Sequence, residues 1–208
     1  MADVVVHGLP PSSYTMTARM ACGEKGITHD VSPVQLGTEA LAELHPFSKV
    51  PILEHGDVRI YETSAICRYI DDEFEGPSLA PSDPKLSALM EQWISVVNCY
   101  VYEDWVRQYI LQYIFPRGEG GAPDRAAIDA AVPRIDHQLG LLDKDLADRK
   151  FLCGDTVSIA DIFLTPLLAG IARFDEGKAL LGKHPGAARL LGTLVERPAF
   201  QASIPREA

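Results

Sequence analysis

The chain has 208 residues, 47% of them hydrophobic, and 29 acidic against 19 Lys or Arg side chains, a formal net charge of −10. That length suits one large domain or two small ones, and an acidic chain without any Lys/Arg cluster excludes a nucleic-acid binder built on a basic stripe. No apolar run approaches the roughly 20 residues that cross a bilayer, and the opening MADVVVHGLPPSS has no basic segment and too short an apolar stretch for a signal peptide, so a cytoplasmic protein with no membrane partner is expected.

Asp3 to His7, with three successive valines, reads as a short buried strand. Gly8-Leu9-Pro10-Pro11 must bend the chain, because two prolines fit neither a helix nor a central strand. A helix is predicted from about Thr15 to Lys25, ended by Gly26, then a strand over Ile27 to Val34 and a weaker helix over Leu36 to Leu44. Val50 to Leu53 and Val58 to Tyr61 flank the turn signal Glu54-His55-Gly56-Asp57 and read as a hairpin. Ser64 to Phe74 has helical spacing. The order βαβαββα gives a small mixed sheet with helices packed on it.

Residues 77–84, rich in proline, form the linker between an N-terminal domain (1–76) and an all-α domain (85–208). Lys85 to Phe115 has neither Gly nor Pro and an apolar stripe, so it reads as one helix about 45 Å long. Ile128 to Leu146 repeats apolar residues every three or four positions, with Pro133 expected to kink the helix or mark its effective start. Ser158 and Asp161 have the spacing of a capping box, Val157 and Ile162 that of a hydrophobic staple, and the helix they open, running to about Phe174, is apolar nearly all round. A last helix covers Ala187 to Val195. Cys22, Cys67, Cys99 and Cys153 form no CxxC pair and lie near no His at ligand spacing, so reduced thiols and no metal are expected.

Five strings, in order along the chain, resemble the cytosolic glutathione S-transferases, most of all their serine-using, phi-like members: VHGLPPS (Val6–Ser12), HPFSKVPIL (His45–Leu53), GDVRIYETSAICRYI (Gly56–Ile70), DPKLSALMEQWISV (Asp83–Val96) and LCGDTVSIADI (Leu152–Ile162). The resemblance implies a thioredoxin-like N-terminal domain that binds glutathione as co-substrate, an open hydrophobic site beside it, and a homodimer. It also implies a cis Val50-Pro51 bond, against which the cysteinyl segment of glutathione pairs like an added strand.

Glutathione offers a thiol, an extended backbone and a charged γ-glutamyl head. Thr63, at a strand-to-helix junction, suits the γ-glutamyl carboxylate, since helix-start amides attract anions, and Glu62 suits the ammonium. Lys49, which stands where phi-like proteins usually carry Gln, is either a candidate for the glycyl carboxylate or a solvated loop lysine. Ser12 is the catalytic candidate. A free thiol titrates near ~8.5, and a hydroxyl donating to sulfur favours the thiolate. Ser13, Tyr14 and Thr15 are rival hydroxyls. Tyr102, Trp105, Tyr109 and Tyr113 form an aromatic stripe that reads either as core or, together with Tyr14, as the wall of a pocket for a small hydrophobic electrophile. The leading function is conjugation of the glutathione thiolate to such an electrophile. Glutathione-dependent peroxide reduction and a non-catalytic ligand- or partner-binding protein on the same fold are the alternatives.

Overall fold

Alternation explains the first element of this computed structural model, which describes residues 3–205. In β1 (Val4–Gly8), Val4 and Val6 are buried while Val5 and His7 are half-buried on the opposite face. α1 (Ser13–Glu24) follows the double proline and stops short of Gly26, whose φ of 73° suits a residue without Cβ. β2 (His29–Pro33) pairs parallel with β1, making α1 the crossover of a βαβ unit. Pro33 has no amide to donate, which is tolerated because β2 is an edge strand. α2 (Glu39–Leu44) leads to β3 (Ile52–His55), which pairs antiparallel with both β1 and β4 (Val58–Tyr61). The strand order is β2-β1-β3-β4, and α3 (Thr63–Glu73) follows. This is the βαβαββα order read from the sequence.

The chain divides into two compact units, Met1–Pro81 with Glu196–Ala208, and Ser82–Val195. The sequence reading had assigned everything from 85 onward to one helical domain. The return of the C-terminal segment to the first unit is carried by α10 (Pro198–Ser203), which packs on α1. Gly23 permits this approach, for a Cβ there would stand 2.9 Å from the Ala199 Cβ. Arg19 donates to the Ser203 carbonyl at 2.6 Å, and Arg197 Nε donates to Glu24 Oε1 at 2.5 Å. Just past the C-terminal end of α1, Lys25 meets Asp71 at 3.3 Å, with side chains only 3% and 4% exposed. Asp71 also accepts from the amides of Leu79 (2.7 Å) and Ala80 (2.9 Å), fastening the linker to α3.

The second unit is helical. α4 (Pro84–Val96), capped by Asp83, continues without a break through a π-helical stretch, Val97–Ile110, into α5 (Leu111–Ile114). The single long helix expected over this span therefore forms, with its middle widened to i→i+5 turns. Within it the adjacent pairs Trp105/Val106 and Tyr109/Ile110 are buried. α6 (Arg125–Asp145) starts at the Asp124 cap and encloses Pro133 within its run, so the proline does not mark its start. α7 (Ile159–Ile171) is buried from Ile159 to Leu168, as its apolar circumference implied. The expected capping box forms: Asp161 accepts from the Ser158 amide at 2.9 Å and hydroxyl at 2.6 Å, and also from the Leu152 amide at 2.9 Å. α8 (Asp175–Lys183), not anticipated from the sequence, and α9 (Pro185–Val195) complete the unit.

Candidate active site

Register brings three chain segments to one end of the sheet. Ile52, the first residue of β3, is paired on one side with His7 and on the other with Tyr61. The loop after β1, the turn before β3 and the junction after β4 therefore emerge together. Those segments carry Ser12, Lys49-Val50-Pro51 and Glu62-Thr63.

Ser12 is the N-cap of α1, half-buried, with its Oγ accepting from the Thr15 amide at 3.5 Å. That is the long limit of a hydrogen bond and leaves the hydroxyl proton uncommitted to this contact. Among its rivals, Thr15 is fully buried and lies against Gly8, where a Cβ would meet its Oγ1 at 2.4 Å. Ser13 and Tyr14 are half-buried. The Val50-Pro51 bond is cis. Val50 is half-buried and precedes the strand ladder, and Lys49 is exposed.

Glu62 caps α3 with φ 70° and ψ 117°, outside helical and strand conformations. A non-glycine residue at positive φ costs about 1–3 kcal/mol and persists where the surroundings over-determine it, typically at functional turns. Its carboxylate is 65% exposed and makes no capping bond to the helix. The first amides of α3 therefore have no side-chain cap of their own, and Thr63, buried, begins the helix beneath them. An uncapped helix start next to an exposed carboxylate can take a ligand's carboxylate on the amides and its ammonium on the acid.

His45, which the sequence reading passed over, joins this group. It is 1% exposed, its ring lies 4.7 Å from that of Tyr61, and its Nδ1 accepts from the Phe47 amide at 3.1 Å. Nε2 stands 4.0 Å from Glu62 Oε1. Burial pushes the imidazole's pKa down, opposed by the Glu62 charge. The only hint in the sequence was a histidine opening the segment that leads to the cis turn.

The aromatic stripe divides. Trp105 is 1% exposed and donates to Gln138 Oε1 at 2.7 Å. Tyr109 is 0% exposed, donates to Glu176 at 3.2 Å and accepts from the Gly177 amide at 2.9 Å. Both are buried within the second unit, in keeping with the core reading of the stripe. Tyr102 is half-buried, with the Arg107 guanidinium 5.9 Å from its ring centre. Among the described residues no group of three or more His, Cys, Asp or Glu could hold a metal ion, and no helix is long and apolar enough to cross a membrane.

A mixed four-stranded sheet with a cis-proline turn and a positive-φ acid at the next helix start, followed by a helical unit, defines a thioredoxin-like fold joined to an all-helical unit. Residues 6–78 match the glutathione S-transferase N-terminal domain and residues 96–198 the C-terminal domain of the same family. Glutathione S-transferase 3 of Zea mays is 28% identical over 98% of this chain and 94% of its own. Glutathione S-transferase F14 of Arabidopsis thaliana is 28% identical over 90% and 78%. The solved structure of glutathione S-transferase III in apo form superposes with a TM-score of 0.87 at 29% identity, covering 99% of this chain and 98% of that one. The chain belongs to the glutathione S-transferase family.

Proposed function

We propose that this protein binds glutathione on its first unit and transfers the thiolate to a small hydrophobic electrophile. The observation that supports the reading is the His7–Ile52–Tyr61 register, by which the loop after β1, the cis Val50-Pro51 turn and the junction after β4 emerge at one end of the sheet. In this scheme the α3 amides and Thr63 hold the γ-glutamyl carboxylate and Glu62 holds the ammonium. The backbone of Val50 pairs with the cysteinyl unit, and Lys49 meets the glycyl carboxylate. The Ser12 hydroxyl donates to sulfur, so the thiol releases its proton to water near neutral pH. The sulfur lone pair then forms a C–S bond to the electrophilic carbon, and the leaving group departs with its bonding pair, a halide in the case of a chloro-nitroaromatic. Half-buried Tyr14, in the first unit, is an aromatic candidate for contact with the electrophile. The family's homodimeric assembly and cytoplasmic location belong to the same proposal.

The test is retention on immobilised glutathione and elution by the free tripeptide, followed by turnover of a chloro-nitroaromatic substrate. Retention with turnover is the expected result. Retention without turnover over a broad electrophile panel supports a binding protein instead, and passage through the resin without retention removes the reading.

A further inference from the structure

We propose that His45 is a positioning residue that aims the Glu62 carboxylate at the ligand's ammonium. The inference rests on the glutathione reading above. An Nδ1 that accepts an amide proton carries none itself, so the proton of the neutral ring is on Nε2. The Phe47 amide, donating at 3.1 Å, thus fixes the tautomer whose N–H edge faces Glu62. The ring itself has little freedom: it is buried, tilted against Tyr61 at 4.7 Å, and has Phe47 at its edge, 6.1 Å between centroids. Glu62 is the mobile partner. Its backbone is fixed by the positive φ, but its side chain is 65% exposed.

The separation of 4.0 Å is too long for a hydrogen bond. A torsional adjustment of the exposed Glu62 side chain closes it. The carboxylate then accepts from Nε2–H through one oxygen and presents the other to an ammonium. A neutral donor suits this task. An imidazolium would cancel the charge that attracts the ammonium, and burial, with the nearby Lys49 charge acting in the same direction, disfavours it. Histidine here therefore couples the loop before the cis turn to the junction after β4.

The test separates this role from support of the loop. In His45→Asn, the shorter side chain keeps an acceptor where Nδ1 lies, so the Phe47 amide retains a partner, but it does not reach Glu62. Calorimetry would measure binding of glutathione and of its des-amino analogue, glutaryl-cysteinyl-glycine, to the full chain. The expected result is an affinity loss of about fivefold for glutathione and less than about twofold for the analogue. In a Glu62→Gln background the same histidine substitution should change glutathione affinity by less than about twofold. Equal losses for both ligands, no loss for glutathione, or an undiminished loss in the Glu62→Gln background would overturn the proposal. Wild-type protein that binds no glutathione fails the functional reading as a whole. Wild-type protein that binds both ligands equally fails the pairing of Glu62 with the ammonium and leaves the glutathione site standing. Either result removes the role given to His45.

Discussion

Ser12→Ala separates a chemical role for this hydroxyl from a structural one. Ser12 Oγ accepts a long 3.5 Å bond from the Thr15 amide. Losing so weak a cap should cost about 0.5 kcal/mol, the low end for such substitutions, so the variant folds. The bound thiolate loses more. A hydrogen bond to a charged group contributes roughly 1.5–3 kcal/mol, and one pKa unit corresponds to about 1.36 kcal/mol, so the thiol's pKa should rise by about 1–2 units. Taking about 1.5, and ~8.5 for an unassisted thiol, the sulfur titrates near ~7 in the wild type and near ~8.5 in the variant. The thiolate is the reacting form, so activity rises with pH through this pKa and the substitution moves the rise upward. At pH 6.5 the ionised fraction falls from roughly a quarter to roughly a hundredth, a loss of about 20-fold in turnover, while above about pH 9.5 the two rates converge. The assay is a pH profile with a chloro-nitroaromatic substrate, paired with ultraviolet absorbance of the bound thiolate. Superimposable profiles, or a loss that is uniform with pH, would refute the thiolate role.

Three further substitutions test other parts of the structure. Tyr109→Phe strips the Gly177 amide of its acceptor at the start of α8 and should destabilise the protein by about 1–3 kcal/mol in urea unfolding, with the KM for the electrophile unchanged; a raised KM would return Tyr109 to the substrate site. Glu176 is raised by burial but held lower, to about 2, by hydrogen bonds from Tyr113, its own amide and Arg125. Its carboxylate therefore contributes stability that is present above about pH 4.5 and lost as pH falls through about 2, on the order of 1–2 kcal/mol after solvent screening. Glu176→Gln should flatten the stability profile in that window, and an unchanged acid slope would contradict this. Lys25→Met leaves Asp71 buried with only the Leu79 and Ala80 amides, which should cost about 3 kcal/mol by denaturant titration; a loss under about 1 kcal/mol would show that those amides alone satisfy the carboxylate.

Local rules made much of the first unit legible. Successive valines, a double proline and a Gly-Asp turn specify strands and bends within a few residues, and the Ser158/Asp161 box is purely local. The features missed depend on distant partners. α10 returns to α1 because Gly23 leaves room for Ala199 and because Glu24 meets Arg197, none of which is a local signal. The aromatic stripe could not be assigned to core or pocket from its spacing, because the burial of Trp105 and Tyr109 depends on Gln138, Glu176 and Gly177 far along the chain. His45 was overlooked because its meaning comes from Phe47, Tyr61 and Glu62 together, and Glu62 lies across a hairpin from it. The strain at Glu62 is likewise a property of the fold and not of the dipeptide.

The central claim is that the loop after β1, the turn before β3 and the start of α3 form one tripeptide site. It is tested most directly by titrating isotopically labelled protein with glutathione and following backbone amide resonances. The largest shifts should fall on Ser12, Val50, Glu62 and Thr63, saturating with a single dissociation constant. Saturable shifts confined to Ser82–Val195, or no shifts at millimolar ligand, would contradict it.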